Sequence, residues 1–425
     1  MIDYKSLILN DLLNKYEKSA HFRGKAKINR RIFFKPDRKT LPAYFAGDRP
    51  QEKEALHQVV RELSEQGILD VEWVPGEKNN LLKRVSLNLD KIDAAYAAIS
   101  RTPRLVALAE LDRLLTDAAT GIKTPWIRKF FADCRNEIAR GLNWPSLLPE
   151  EKTELEGVLR ALKGLEAKGE EDLLERVFSI RYLGGSKNFS GKVKSAVIAI
   201  AAAYCLQDDE LADEDILHEL GIIKTTEELL LSGPLVIELR GERMDLSPFP
   251  CGVVLDTQMA HTLEIAGCRA RRVLLVENKT NFHYLVRRGL PEDLLLIYLG
   301  GFPSPKKRLF LEKLRDYYAD NAGQRDAVFL HWGDIDWGGL RIYMFLRENV
   351  LPSLQPLFMD KETLLAYREM GESLSPSYRN KLLKLRENPK YAAFWELITL
   401  MLELDIKLEQ EALLADRNFT CRFPC

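Results

Sequence analysis

Nothing in this sequence approaches 18 consecutive apolar residues. The longest candidate, AVIAIAAAYCL at 196–206, has the length of a buried helix, so no membrane span is expected. Cysteine is sparse: six residues (134, 205, 251, 268, 421 and 425) are scattered with no CxxC pair and no metal-ligand spacing. That pattern excludes a disulfide framework or a zinc site and reads as reduced thiols. The opening residues, MIDYKSLILNDLLNKYEK, carry acids and no small-residue cleavage site, unlike a secretory signal. The expected compartment is the cytoplasm. A nucleotide-hydrolysis loop is missing too. The glycine-rich stretch GGSKNFSGKVKSA (184–196) places five residues between Gly185 and Gly191 where the Walker spacing needs four, and Val193 follows Lys192 where Ser or Thr is required. No nucleotide is expected to bind this chain.

What is present is a long, charged chain with an uneven charge distribution. Its 425 residues exceed one ordinary core and suggest about two to four domains. The net charge is only −1, yet eight Lys/Arg lie between Arg23 and Lys39 (Arg23, Lys25, Lys27, Arg30, Arg31, Lys35, Arg38, Lys39) against the single acid Asp37. Phe33 and Phe34 interleave. Such a cluster neutralises phosphates with salt-sensitive, sequence-independent affinity, or else forms a solvated basic loop. Apolar residues recur at helical spacing in Leu7, Ile8, Leu12, Leu13 and Tyr16, and again in RPQEKEALHQVVRELSEQGI (49–68), which Gly67 stops. Two alternating runs follow, LDVEWV (69–74) and KRVSLNL (83–89), joined by the turn-rich PGEKNNLL. A helix followed by a hairpin is the tail of a winged helix, a module that sets a helix in the DNA major groove or docks a protein partner.

Residues 90–180 read as helical and strongly charged. In 150–178 a narrow seam of Leu155, Leu159, Leu162 and Leu165, then Leu173, Leu174 and Val177, predicts an extended arm or coiled hairpin. The stretch DEDILHELGIIKTTEELLLSGPLVIEL, ending at Leu239, predicts a short helix, a second helix and a strand. From about residue 271 strands and helices alternate. RVLLVE (272–277) precedes a helix with Thr280 as N-cap and Gly289 as stop; LLLIYLGG (294–301) and AVFLHWGDID (327–336) are each followed by a helix. Continuous apolar strands joined by single helices predict a parallel sheet covered on both faces. The remainder reads as helices, including 388–414 as one long segment.

In open parallel sheets the ligand sits at the carboxyl ends of the strands. Here those ends carry Glu277, Gly300-Gly301 and Asp334-x-Asp336. A period of two puts both aspartates on one side of an extended backbone. Three converging carboxylates repel one another, and a divalent cation is the ordinary remedy. Mg2+ takes oxygen ligands and commonly bridges one or two carboxylates to phosphates, where it polarises a phosphoryl oxygen and activates water. Gly338 and Gly339 open a helix whose free N–H groups suit a phosphate. Lys279 and Lys306 are candidate phosphate contacts, and Arg341 a candidate for neutralising transition-state charge. His331 and His283 lie close in sequence to these motifs; structural or supporting roles fit them better than proton transfer.

Glu after the first strand, Gly after the second and DxD after the third resemble the Toprim domain of topoisomerases, primases and some nucleases. More closely, VENKTNFHYL, LGGFPS and HWGDIDWGGLRI resemble the DNA-cleaving D-subunit family of bacterial Wadjet (Jet) plasmid-defence systems, relatives of the topoisomerase VI A subunit. Weaker matches are YFAGD (44–48), IRYLGGSK (180–187), GIIKTTEELLLSG (221–233) and KLEQEALL near the end. The resemblance implies Glu277, Asp334 and Asp336 as catalytic metal ligands for Mg2+ or Mn2+, with Gly301 as the turn glycine. It implies a homodimer that hydrolyses double-stranded plasmid DNA together with an SMC-like, condensin-type ATPase that extrudes loops. Arg30, Arg31 and Lys35 are the DNA contacts expected outside the catalytic domain. Four segments follow: 1–110, basic segment and winged helix; 111–180, charged helical arm; 181–240, a second helix-plus-wing (CAP-like) unit; 241–425, an α/β Toprim catalytic domain with C-terminal helices. Two alternatives stay open. One is covalent cleavage through a tyrosine, although Tyr44, Tyr182 and Tyr204 have no matching setting; the other is a non-catalytic DNA-binding scaffold.

Overall fold

The computed structural model describes residues 2–24, 30–46, 50–206, 211–322, 326–417 and 419. Lys25 and Lys27 of the basic cluster, Gly47 and Asp48 of the YFAGD motif, and Cys421 and Cys425 lie outside the described residues. The chain forms two compact units, Met1–Gly169 with Phe178–Asp209, and Glu170–Val177 with Glu210–Cys425. Among the described residues no helix is long and apolar enough to cross a membrane.

In the first unit the helix Tyr4–Glu17 starts where Asp3 accepts the N–H of Ser6 and buries Ile8, Leu9, Leu12 and Leu13. Strand β1 (Phe33–Phe34) is followed by helix Pro50–Glu65 and the hairpin β2 (Leu69–Trp73) and β3 (Leu82–Leu87). The three strands form an antiparallel sheet in the order β1-β3-β2. The predicted helix and hairpin are therefore present, and the basic segment adds a third strand to them. Tyr44, buried at 2%, ties the helix to the sheet. Its hydroxyl accepts the N–H of Leu82 at 2.8 Å and shares a 3.0 Å hydrogen bond with His57 Nε2.

The expected narrow-seamed arm is instead a set of packed helices, Arg104–Ala119, Pro125–Gly141, Lys152–Lys168 and Gly191–Ala201. The leucine seam understated the buried face because small residues extend it: Gly157, Ala161 and Gly164 are buried beside Leu155, Val158 and Leu162. A Cβ on Gly157 would meet Val193 at 2.8 Å, and one on Gly164 would meet the Tyr182 ring at 2.7 Å. The helices approach each other through these gaps.

The second unit opens with β4 (Leu173–Leu174) paired in parallel to β5 (Ile222–Ile223). Strands β6 (Glu228–Ser232), β7 (Leu235–Leu239), β8 (Glu242–Asp245), β9 (Val253–Asp256) and β10 (Leu263–Cys268) follow. The core strands are β11 (Arg272–Val276), β12 (Leu294–Tyr298), β13 (Val328–Trp332) and β14 (Gln355–Pro356). Two sheets result, β10-β7-β8 and a six-stranded sheet in the order β14-β13-β11-β12-β6-β9. β11, β12 and β13 are parallel, as expected; β14 extends the parallel part, and β6 and β9 add antiparallel pairings, none of which the sequence pattern predicts. Val273, Leu274, Leu275 and Val276 are all fully buried, as a central parallel strand requires. Each such side chain contributes about 1.5–3 kcal/mol relative to exposure.

Two expectations are corrected here. The segment EELLLS is β6, not a second helix: Leu229, Leu230 and Leu231 are all buried in the sheet, and tertiary packing overrides the helical propensity of Leu and Glu. The predicted helix over 388–414 is interrupted. Helix Trp395–Leu404 ends at Asp405 in the left-handed region (φ 57°), and β16 (Ile406–Lys407) follows, paired with β15 (Glu372–Ser373).

Candidate functional site

The carboxyl ends of β11 and β13 lie side by side because the two strands pair in register up to Val276 and Trp332. The Glu277 N–H donates to Trp332 C=O at 3.1 Å, and the Glu277 C=O accepts the N–H of Gly300 at 3.2 Å. Glu277 is thus held at the meeting point of three strand ends. The intervening turn places Gly300 and Gly301 at φ 75° and 91°, a region natural only for glycine.

Glu277 Oε2 accepts the N–H of Asp334 at 3.3 Å, so the structure brings these two predicted residues together. Gly333 packs against Glu277 and His331, where only a glycine leaves room. A Cβ there would sit 2.6 Å from Glu277 Oε2 and 2.7 Å from His331 Nε2. Asp336 performs a different local task. It is the N-cap of helix Trp337–Asn349, with Oδ1 accepting the N–H of Gly339 at 2.7 Å and Oδ2 accepting the Tyr378 hydroxyl at 2.9 Å. The same Tyr378 oxygen accepts the Trp337 N–H at 2.8 Å. Lone pairs remain on both Asp336 oxygens for a further partner.

Burial pushes the Glu277 carboxyl well above the usual carboxylate range, and the charges of Asp334 and Asp336 push it further. Burial also raises Asp334, to about 7; Asp336, Glu409 and Glu411 add to this while the Gln410 N–H opposes it. His331 is pushed down to about 3 by burial alone and is neutral. It is fully buried, and neither ring nitrogen has a hydrogen-bond partner.

The sequence reading missed the segment that closes this site. Leu408 pairs with Ile335 through two backbone hydrogen bonds, at 2.9 and 3.1 Å. That pairing carries Glu409, Gln410 and Glu411 to the strand ends. The ligand-type oxygens of Asp334, Glu409 and Glu411 lie within 4.8 Å of one another, a tighter group than the expected Glu277, Asp334 and Asp336. Glu409 pairs with Lys407 at 2.6 Å. Among the described residues no Lys or Arg pairs with Glu277, Asp334, Asp336 or Glu411, and Glu411 Oε2 is buried without a hydrogen-bond partner. Asp334, Glu409 and Glu411, with Glu277 adjoining Asp334, offer an all-oxygen donor set of the kind that suits a hard divalent ion. The signal in the sequence was KLEQEALL, visible as a weak motif with no role attached.

The other predicted contacts are dispersed. Lys306 is buried, hydrogen-bonded to His261 and 3.7 Å from Asp172. Lys279 is exposed and paired with Glu228. The Gly339 N–H is engaged by Asp336, and a Cβ on Gly339 would fall 2.3 Å from Asp334 O, so that glycine permits close packing beneath the aspartate loop. Gly338 has no comparable crowding. Arg341 and Lys381 lie over the Trp337 ring at 4.2 and 4.1 Å. In the first unit Arg30, Arg31 and Lys35 are all exposed, flanking β1. His283 is exposed on helix Lys279–Arg288, whose N-cap is Asn278 rather than the predicted Thr280.

Residues 230–419 match the family described as Wadjet protein JetD, C-terminal. The match contains every residue of the site just described. Over 414 residues the chain is 27% identical to the Wadjet protein JetD of Bacillus cereus (strain Q1), covering 97% of this chain and 99% of that protein. The family match over the site-bearing region and the similarity running from end to end together support a JetD identification for the chain.

Proposed function

We propose that this chain is the metal-dependent DNA endonuclease of a Wadjet-type anti-plasmid defence system. In this reading the second unit is a Toprim domain, and Glu277, Asp334 and Asp336 hold Mg2+ or Mn2+, with Glu409 and Glu411 adjoining. The observation that carries it is the junction of Glu277 and Asp334 at paired strand ends, their carboxyls raised by burial and mutual charge. Buried carboxylates that repel one another destabilise the fold unless a cation joins them. When bound, such an ion supplies polarisation of a phosphodiester oxygen and a water that ionises near neutral pH. The chain's own residues orient the site: Gly300 and Trp332 fix the Glu277 backbone, Tyr378 and Gly339 fix Asp336, and the Gly333 gap admits Glu277 beside His331.

DNA contact by the first unit is assigned to a winged helix formed by helix Pro50–Glu65 and its hairpin, with Arg30, Arg31 and Lys35 meeting phosphates. A homodimer would present one site to each strand of a plasmid duplex, delivered by an SMC-like ATPase complex. Hydrolysis is preferred to covalent cleavage because Tyr44, Tyr182 and Tyr204 are engaged in packing. The Tyr44 hydroxyl is buried between His57 and Leu82, Tyr182 fills the Gly164 gap, and Tyr204 stacks edge-on against Phe130.

The test is incubation of circular DNA with the assembled system and Mg2+ or Mn2+, comparing wild type with Glu277→Ala. Metal-dependent cuts abolished by the substitution are expected. Cleavage that persists in EDTA sinks the hydrolase reading. Protein attached to DNA ends after denaturation supports the tyrosine alternative, and undiminished cleavage by Glu277→Ala supports the scaffold.

A further inference from the structure

Gln410 is 1% exposed, and each of its polar groups is hydrogen-bonded. Its side-chain oxygen accepts the N–H of Asn278, the residue immediately after Glu277, at 3.0 Å. Its side-chain nitrogen donates to Trp332 C=O, two residues before Asp334, at 2.6 Å. Its backbone N–H donates to Asp334 Oδ1 at 2.6 Å, and its C=O accepts the Asn281 side-chain N–H at 3.1 Å. The Trp332 carbonyl therefore receives two donors, the Glu277 N–H and the Gln410 amide.

A buried glutamine that only filled space would be replaceable by leucine or methionine. Here one planar amide bridges the main chains of two parallel strands just past the end of their ladder. The spacing it fixes is the spacing between Glu277 and Asp334. We propose that Gln410 is a positioning residue that sets the Glu277–Asp334 separation and thereby the affinity of the site for a divalent cation. The proposal rests on the metal-site reading above. It acts through second-partner hydrogen bonds of the kind that orient metal ligands and whose loss costs about 10–100-fold in metal affinity.

The test is Mn2+ binding to the full-length chain, followed by electron paramagnetic resonance, for wild type, Glu277→Ala, Gln410→Met and Gln410→Asn. Methionine keeps the side-chain volume and removes both amide bonds; asparagine keeps the amide but is too short to span both main chains. Thermal unfolding in EDTA reports on folding separately. Mn2+ affinity reduced roughly tenfold or more in folded Gln410→Met or Gln410→Asn, with cleavage recovering at high Mn2+, is the expected result. A merely structural role lowers the unfolding temperature and leaves Mn2+ affinity unchanged. If wild-type binding depends on Glu277 while either folded Gln410 variant binds as wild type does, the positioning role is overturned and the metal-site reading stands. If wild type binds no Mn2+, or Glu277→Ala binds it equally well, the metal-site reading falls and the positioning role falls with it.

Discussion

Gly333 is where a single atom decides the geometry of the site. Any side chain there crowds Glu277 Oε2 and the buried ring of His331. Gly333→Ala is expected to reduce metal-dependent cleavage by roughly tenfold or more, in the range of lost ligand-orienting contacts, with far-ultraviolet circular dichroism unchanged. Wild-type rates in that variant would show that the crowding relaxes without consequence. Asp334 gives a second prediction. Its carboxyl rises from 3.8 to about 7 in the fold, so between those values the folded chain holds more protons than the unfolded one. Stability then falls as pH rises through that window, since its slope follows protons bound unfolded minus protons bound folded. Melting temperatures of the metal-free chain in EDTA should decline from pH 4 to 7, and Asp334→Asn should flatten the decline. Equal slopes in the two proteins would remove Asp334 as the cause.

At the scale of elements, helix Trp337–Asn349 is locked to the aspartate loop at both ends of its first turn. Asp336 caps it, and Gly339 lets its backbone lie against Asp334. Gly339→Ala forces a Cβ into main-chain atoms that cannot swing aside, and a loss on the order of 1–3 kcal/mol in denaturant unfolding is expected. An unchanged midpoint would mean that the loop shifts freely. The sequence placed this helix and its glycines in chain order and proposed them for a phosphate; the structure adds the Asp336 cap on the Gly339 N–H. The capping role was hidden because an Asp three residues before a Gly carries no mark of which acceptor takes its N–H. EELLLS misled for a related reason: a run of leucines fits a helix or a buried strand, and only its place beside β12 settles which.

For the whole molecule the first unit brings exposed basic side chains and the second brings the carboxylates. If Arg30, Arg31 and Lys35 meet DNA phosphates, replacing all three by alanine should weaken binding to any duplex alike. The slope of log affinity against log salt should drop by about 0.9 for each lost contact, measured by fluorescence anisotropy over a salt series. A slope equal to wild type would place the DNA elsewhere. Metal-free Glu277→Ala should keep the wild-type slope, because its change lies in the second unit.

The sequence by itself determined that Glu277, the Gly300-Gly301 turn and the aspartate loop lie just past the ends of neighbouring strands, because strand ends are local properties of the chain. It also determined the parallel core, since β11 from Val273 onward and the leucine-rich β12 run apolar without interruption. The closing wall was decided only by tertiary structure. Glu409, Gln410 and Glu411 sit 132 to 134 residues from Glu277 in a stretch whose periodicity reads as helix. They reach the site because the chain turns at Asp405 and Leu408 then pairs with Ile335. No local pattern encodes a bridge between two segments so far apart. Its stability comes from hydrogen bonds that exist only once both strand ends are in place.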